Sequence, residues 1–244
     1  GMRDTSVTGV QTCALPIFKY MNQLNHVAFI MDGNGRWGKK RRKTRNYGHF
    51  NGVKTVKKVV EASIKLNIPT ITFFVFSTEN WKRPKSEIKF LFNLIKSYFL
   101  EEIKNVINNG IKINIIGDIN KLPNNLKKIL NTTVEKTKKN KKITVNLALN
   151  YGSRDEIVKA FKELKKKKKI SETDITKNLY TSLMPDPDIL IRTGGKKRLS
   201  NFMLWQLAYS ELYFLNKLWP DFNIRDLKKI INDYKSIKRN FGNI

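Results

Sequence analysis

Apolar residues in this chain come in short runs, separated by longer stretches where they recur every three or four positions. Six runs read as strands: 27–31, 70–76, 112–116, 143–149, 189–192 and 212–215. The intervening spacing predicts helices over 48–66, 85–109, 123–140, 153–166, 173–182 and 223–239. Short strands alternating with helices predict an α/β domain with a largely parallel central sheet flanked by helices. Ligands of such sheets bind beyond the carboxyl ends of the strands. Asp32, Ser77, Gly117, Asn150 and Arg192 all stand where a strand pattern stops, so the candidate chemistry gathers on one rim.

The predicted helix 85–109 carries an unusually broad apolar face. Phe90, Leu91, Leu94, Ile95, Tyr98, Phe99, Ile103, Val106 and Ile107 fall on it, and Phe92 and Leu100 widen it. On pattern alone this reads as a helix packed on the sheet.

At 244 residues, 40% hydrophobic and 11% aromatic, the chain is long and apolar enough to bury one sizeable core. Its apolar runs are too short for a transmembrane helix. The net charge of +28, from 48 basic and 20 acidic residues, invites a nucleic-acid or membrane reading. The surplus is mostly lysine spread along the chain, however, without zinc-finger spacing or the aromatic-basic alternation of an RNA-binding sheet, so no specific nucleic acid is expected. The lysine run 165–169 reads as a solvated loop, with contact to anionic lipid headgroups as the weaker alternative. Cys13 is the only cysteine, which excludes an intrachain disulfide. It lies in a lysine-free stretch, 3–17, whose text resembles read-through of a sequencing adapter. Residues 1–17 are therefore read as a non-native leader, and 18–244 as one catalytic domain.

The richest segment is 26–37. An apolar run ends in Asp32, Gly33 and Gly35 bracket Asn34, and Arg36 and Trp37 follow. Glycines let backbone N–H groups close on an anion, Arg36 adds a phosphate-matching fork, and Asp32 can link Mg²⁺ to a diphosphate. The same letters also suit a strand-to-helix turn with an Asp cap. Arg192-Thr193-Gly194-Gly195 likewise reads as a strand running into an anion-binding loop.

These segments, taken in order, resemble the cis-prenyltransferase family. The resemblance continues through Arg45-Asn46-Tyr47-Gly48-His49, Phe76–Pro84, Ile115-Ile116-Gly117-Asp118, Asn150–Arg154, Asp188–Gly195, Arg198–Phe202, Leu204-Trp205-Gln206, Glu211–Phe214 and Trp219–Phe222. It implies a hydrophobic tunnel walled by the helix near 88–107. It implies condensation of isopentenyl diphosphate onto farnesyl diphosphate, with Z stereochemistry, to give a long polyprenyl diphosphate, the precursor of a cell-wall lipid carrier. Gly33, Asn34, Gly35, Arg36, Trp37, Arg45 and His49 would then hold the allylic diphosphate. Arg192, Arg198 and Ser200 would hold isopentenyl diphosphate. Ser77, Thr78, Glu79, Asn80, Trp81 and Arg83 would form a mobile covering loop, with Ser77 and Asn80 in the proton relay and Trp81 as a shield. The implied catalytic set is Asp32, Asn80, Ser77 and His49, and Mg²⁺ would be held by Asp32 and Glu211.

The resemblance further implies a cytoplasmic homodimer, joined through 211–222 and the C-terminal helix, in peripheral contact with the inner face of a membrane. Three departures stand out. Lys196 and Lys197 follow Gly195 where the family commonly has Glu. Asn240-Phe241-Gly242 replaces Arg-x-Gly, with Arg239 one position early. Val75 stands where a small residue usually lines the tunnel.

Overall fold

A computed structural model describes residues 22–238. The leader, 1–17, and the tripeptide at 240–242 with Arg239 lie outside the described residues. Six parallel strands form one sheet: β1 (His26–Ile30), β2 (Thr70–Ser77), β3 (Ile111–Ile116), β4 (Ile143–Tyr151), β5 (Ile189–Arg192) and β6 (Glu211–Phe214), in the order β3-β4-β2-β1-β5-β6. The helices are α1 (Asn34–Lys40), α2 (Arg45–Lys65), α3 (Lys85–Asn108), α4 (Asn124–Thr137), α5 (Ser153–Glu163), α6 (Glu172–Asn178) and α7 (Ile224–Ser236). This is the expected α/β domain, with every strand pairing parallel.

Strand β1 shows why its sequence is a continuous apolar run. Val27 and Phe29 enter the larger core, with Ile71, Phe73 and Trp219; Ala28 and Ile30 enter the smaller one, with Leu190, Tyr151 and Phe202. A strand covered on both faces has no polar alternation. The chain leaves β1 for β2 on one side and later lays β5 on the other, so strand order reverses at β1. Asp32 follows β1 at that switch point, where open α/β sheets bind ligands.

Two details differ from the periodicity. The helix expected to begin at 48 is preceded by a separate short helix, α1, and α2 already starts at Arg45. The helix expected over 173–182 ends at Asn178. Along β2 the register with β4 slips between Phe74 and Phe76, leaving Val75 without a partner. This bulge turns both Val75 and Phe76 toward the α3 side, where strict alternation would have separated them.

Helix α3 performs both tasks foreseen for its broad face. Ile88, Phe92, Phe99 and Val106 are buried in the core, while Leu91, Leu94, Ile95 and Tyr98 reach an apolar cavity. The lysines at 165–169 stand exposed in a turn, and Lys167 pairs with Asp174. Among the described residues no helix is long and apolar enough to cross a membrane.

Candidate active site

The β1 end is fixed through its backbone. The Asp32 carbonyl accepts from Trp219 N–H (3.1 Å) and Thr193 Oγ1 (2.8 Å). Gly33 then turns at φ 112°, and Leu218 would lie 2.8 Å from any Cβ there, so glycine is required twice over. The Asp32 carboxylate meets Arg36 Nη2 at 3.2 Å and Arg192 Nη2 at 3.1 Å.

Arg192, the last residue of β5, has a side chain only 4% exposed. Its Nη1 donates to Ser200 Oγ (2.8 Å) and to the Arg198 carbonyl, while Nε is buried with no partner. Asn34 Oδ1 is similarly orphaned. Buried polar atoms are normally paired; Asn34 Oδ1 is closed off against Gly52, so of the two only Arg192 Nε leaves donor capacity beside the cavity that Arg192 lines.

A second cluster surrounds Glu87, near the start of α3. Arg45 binds this carboxylate at two points (3.0 and 3.1 Å), and His49 Nε2 and Arg83 Nη1 each approach it at 3.3 Å. Burial works to raise the Glu87 pKa, but the Arg45 hydrogen bond and the charges of Arg45, Arg83 and His49 hold it below the ordinary range. Burial lowers the His49 pKa more than Glu87 restores it, and burial likewise lowers that of Arg83. The wall therefore carries an ionised carboxylate under two guanidinium groups and a neutral-leaning imidazole.

The segment after β2 is a short 3₁₀ turn, Thr78–Lys82. Ser77 and Asn80 cap it reciprocally, side chain to backbone. Trp81 Nε1 donates to Asn150 Oδ1 (2.8 Å) and Asn201 Nδ2 donates to Glu79 (2.9 Å), tying the loop to the ends of β4 and of the 198–203 segment.

Two cavities meet here. A polar one of about 220 Å³ touches Asp32, Ser77, Asn80, Arg83, Arg192 and Ser200. An apolar one of about 110 Å³ runs between α2, α3 and the sheet, past Val53, Val56, Leu94, Ile95, Tyr98 and Leu147. Met31, Asn34, His49, Val75 and Leu91 line both. The rim thus holds one space with a cationic head and a greasy tail.

Comparisons with known proteins agree. The family model described as putative undecaprenyl diphosphate synthase matches residues 30–242. The isoprenyl transferase of Rickettsia felis is 47% identical over 227 residues, covering 92% of this chain and 97% of the relative. That of Clostridium perfringens is also 47% identical, covering 90% of each. This chain belongs to the undecaprenyl diphosphate synthase family. Its fold is that of solved cis-prenyltransferases. A probable undecaprenyl diphosphate synthase from Campylobacter jejuni superposes with TM-score 0.78 at 39% identity, covering 91% of this chain and all (100%) of the other. Lavandulyl diphosphate synthase from Lavandula x intermedia, with dimethylallyl diphosphate bound, superposes at 0.86 and 34% identity, covering 89% and 98%. The protein is a transferase of isoprenoid biosynthesis.

Within this prenyltransferase, Asp32, Asn34, His49, Ser77, Asn80, Arg83, Arg192 and Ser200 surround the polar cavity. Other expected residues act around it. Arg36 sits on Asp32 and Arg45 on Glu87. Gly35 leaves room for the Arg45 guanidinium, which would lie 2.7 Å from a Cβ there. Thr78 faces Gly152, and Arg198 contributes its carbonyl. Trp37 points elsewhere, donating to Asp221 (2.6 Å), stacking on Tyr47 and lying under Arg41.

Glu211 is not brought to Asp32 within one chain. It opens β6 opposite Ile189, whereas Phe214 pairs with Arg192 at the rim, placing Glu211 roughly 10 Å down the sheet at ~3.3 Å per residue. Asp32 is the one carboxylate lining the polar cavity among the described residues. A single carboxylate beside the Arg36 and Arg192 guanidinium groups fits Mg²⁺, which takes few protein ligands when an anionic ligand and water complete its shell. Glu87 was not foreseen from sequence. Its signal was faint: an acid in the first turn of a helix opened by Pro84, where dipole and capping explain an acid without invoking a site.

Proposed function

We propose that the protein joins isopentenyl diphosphate to an allylic diphosphate, farnesyl diphosphate, forming new Z double bonds and a long polyprenyl diphosphate used as a lipid-carrier precursor. The observation that carries this reading is the shared wall of the polar and apolar cavities, which suits a diphosphate head joined to a growing hydrocarbon.

In the condensation the allylic C1–O bond breaks and diphosphate leaves with the electron pair. The isopentenyl double bond attacks C1, and a C2 proton is lost as the new double bond forms. Arg36, Arg45, Arg83 and His49 stand on the side suited to the allylic diphosphate, and Arg192, Ser200 and Arg198 on that suited to isopentenyl diphosphate. The Arg192 fork would complete its pairing on a phosphate through the orphaned Nε. Ser77 and Asn80 reach the cavity between the two groups, where they would position the proton acceptor. Trp81, packed on Phe76 and Phe92 outside the lining of the two cavities, would hold in place the loop that keeps water from cationic carbon. Asp32 would hold Mg²⁺, which neutralises diphosphate charge as it leaves.

A homodimer joined through 211–222, which includes β6, and the C-terminal helix is part of the proposal. Strand β6 ends the six-strand sheet among the described residues and exposes Leu212 (44%). We also propose a cytoplasmic site of action at the inner face of a membrane, the surface to which an insoluble product would pass.

The test is incorporation of labelled isopentenyl diphosphate into butanol-extractable lipid, with farnesyl diphosphate and Mg²⁺, beside Asp32→Ala. Magnesium-dependent incorporation lost in the variant supports the reading. A folded protein that incorporates nothing with several allylic primers overturns it.

A further inference from the structure

We propose that the turn joining α1 to α2, together with the outward face of α2, docks this protein on an anionic lipid bilayer. Residues 39–43 are five consecutive basic side chains, all exposed. Arg41 is engaged by Asp221 and by the Trp37 ring, but Lys39, Lys40, Arg42 and Lys43 meet no carboxylate among the described residues. The turn is held by its own backbone. Arg41 and Lys43 N–H donate to the Gly38 carbonyl, Arg42 N–H donates to that of Lys39, and Arg42 adopts φ 55°. The charges are therefore presented from a fixed scaffold.

Helix α2 adds the apolar component. Tyr47 and Phe50, three residues apart on its outward face, are 42% and 47% exposed. Lys54 lies over the Phe50 ring at 4.7 Å, and Lys58 continues the face exposed. Basic side chains flanking exposed aromatic rings on a helix are the chemistry of an interfacial contact, with rings at headgroup depth and lysines on phosphate. The opposite face of the same helix, through His49, Gly52, Val53 and Val56, walls the apolar cavity. Docked this way, the helix separates bilayer from lipid channel by its own thickness. This last point rests on the proposed function; the surface itself does not.

The rival patch is 165–169, with exposed Phe161 beside it. It lies after α5, a helix that starts at the β4 carboxyl end and runs away from the rim toward the start of β5. The turn at 39–43 instead sits beside the site, between Asp32 and Arg45. Geometry favours the turn.

The experiment is sedimentation of the full chain, without substrates, on vesicles of phosphatidylcholine with and without phosphatidylglycerol. Each basic residue near an anionic surface contributes roughly fivefold in partitioning. The variant K39Q/K40Q/R42Q/K43Q should lower binding to phosphatidylglycerol vesicles by about tenfold or more. Tyr47→Ser with Phe50→Ser should lower the binding that survives high salt, where charge is screened. Glutamine at every position of 165–169 should lower binding by less than about threefold. Circular dichroism should confirm that the exposed substitutions leave the fold intact. Absence of binding by the unaltered protein, or an equal or greater loss from the 165–169 variant, overturns the proposal. The readout needs no turnover, so a protein that binds vesicles yet incorporates no isopentenyl diphosphate would refute the enzymatic reading alone.

Discussion

Arg45 holds Glu87 by two parallel hydrogen bonds of 3.0 and 3.1 Å, and the same carboxylate gathers His49 and Arg83. Without it, two guanidinium groups would repel across one wall of the polar cavity. Glu87→Gln keeps the volume and removes the charge. We expect KM for one diphosphate substrate to rise about tenfold, the cost of one displaced charge-assisted contact, with a smaller change in kcat. The stability loss should be about 1 kcal/mol, because water screens the half-exposed Arg45. Steady-state kinetics and urea unfolding of the same variant check both. An unchanged KM beside reduced stability would make Glu87 a packing residue only.

The approach of α1 to α2 is set by glycines. A Cβ on Gly48 would lie 1.8 Å from the Asn34 carbonyl oxygen, and one on Gly52 would lie 2.3 Å from Asn34 Oδ1. At Gly48 the opposing atom is backbone, which cannot yield as the Asn34 side chain facing Gly52 can. Gly48→Ala should push α1 off α2, moving Asn34 and with it the start of the anion site. Overpacking of this kind costs typically about 1–3 kcal/mol, several degrees in Tm for a domain of this size. Activity should fall further than stability explains. Thermal unfolding beside the incorporation assay would show it.

The strands, their parallel order and the rim were legible because β1, β2, β4 and β5 are buried runs that end at functional letters. The opening of helix α1 at Gly33–Arg36 was legible too, but not its early end, since Gly33 to Lys40 lacks apolar periodicity and is held by its fit against Gly48 and Gly52. Nor was the bulge at Val75, which depends on pairing with β4 rather than on local pattern. At the site, Asp32 was legible as a strand-end carboxylate and Arg192 as the start of a glycine loop, while Ser200 came with the resemblance; the contacts of Arg192 with both follow from sheet order. Glu87 was obscured by an ordinary helix-start role. Within a single chain Glu211 stands apart from Asp32, because it opens β6 while Phe214 at the other end pairs with Arg192.

The fold also carries a pH dependence. His26 is buried, its Nδ1–H donating to the Pro185 carbonyl (2.7 Å) and its Nε2 accepting from Thr72 Oγ1 (2.7 Å). Burial lowers its pKa to about 4 against the opposing carbonyl bond and Asp188 charge. The unfolded chain binds this proton near pH 6.5 and the folded chain does not. Stability is therefore complete above about pH 6.5 and declines as pH falls toward 4, by on the order of 3 kcal/mol. His49, also lowered, adds in the same direction. With two histidines in the chain, NMR titration should show His26 neutral through pH 5–6. His26→Gln should flatten the slope of urea midpoint against pH below 6.5. A slope unchanged in that variant would assign the acid sensitivity elsewhere.

Val75 bears on product length. The bulge places it where polar and apolar cavities join, opposite Leu91 and beside Met31. A lengthening chain that starts at Asp32 and extends toward Leu94 and Tyr98 must pass it. Val75→Ala removes two methyl groups at this neck and should shift the product distribution toward longer chains. Val75→Phe should stop elongation early while the first condensations proceed. Because the residue is only partly buried, the alanine variant should lose about 1 kcal/mol or less, so folding and chain length can be read apart. Chromatography of the labelled lipid from both variants is the measurement. Identical distributions from both would mean that the growing chain leaves by another route and that the apolar cavity is packing space.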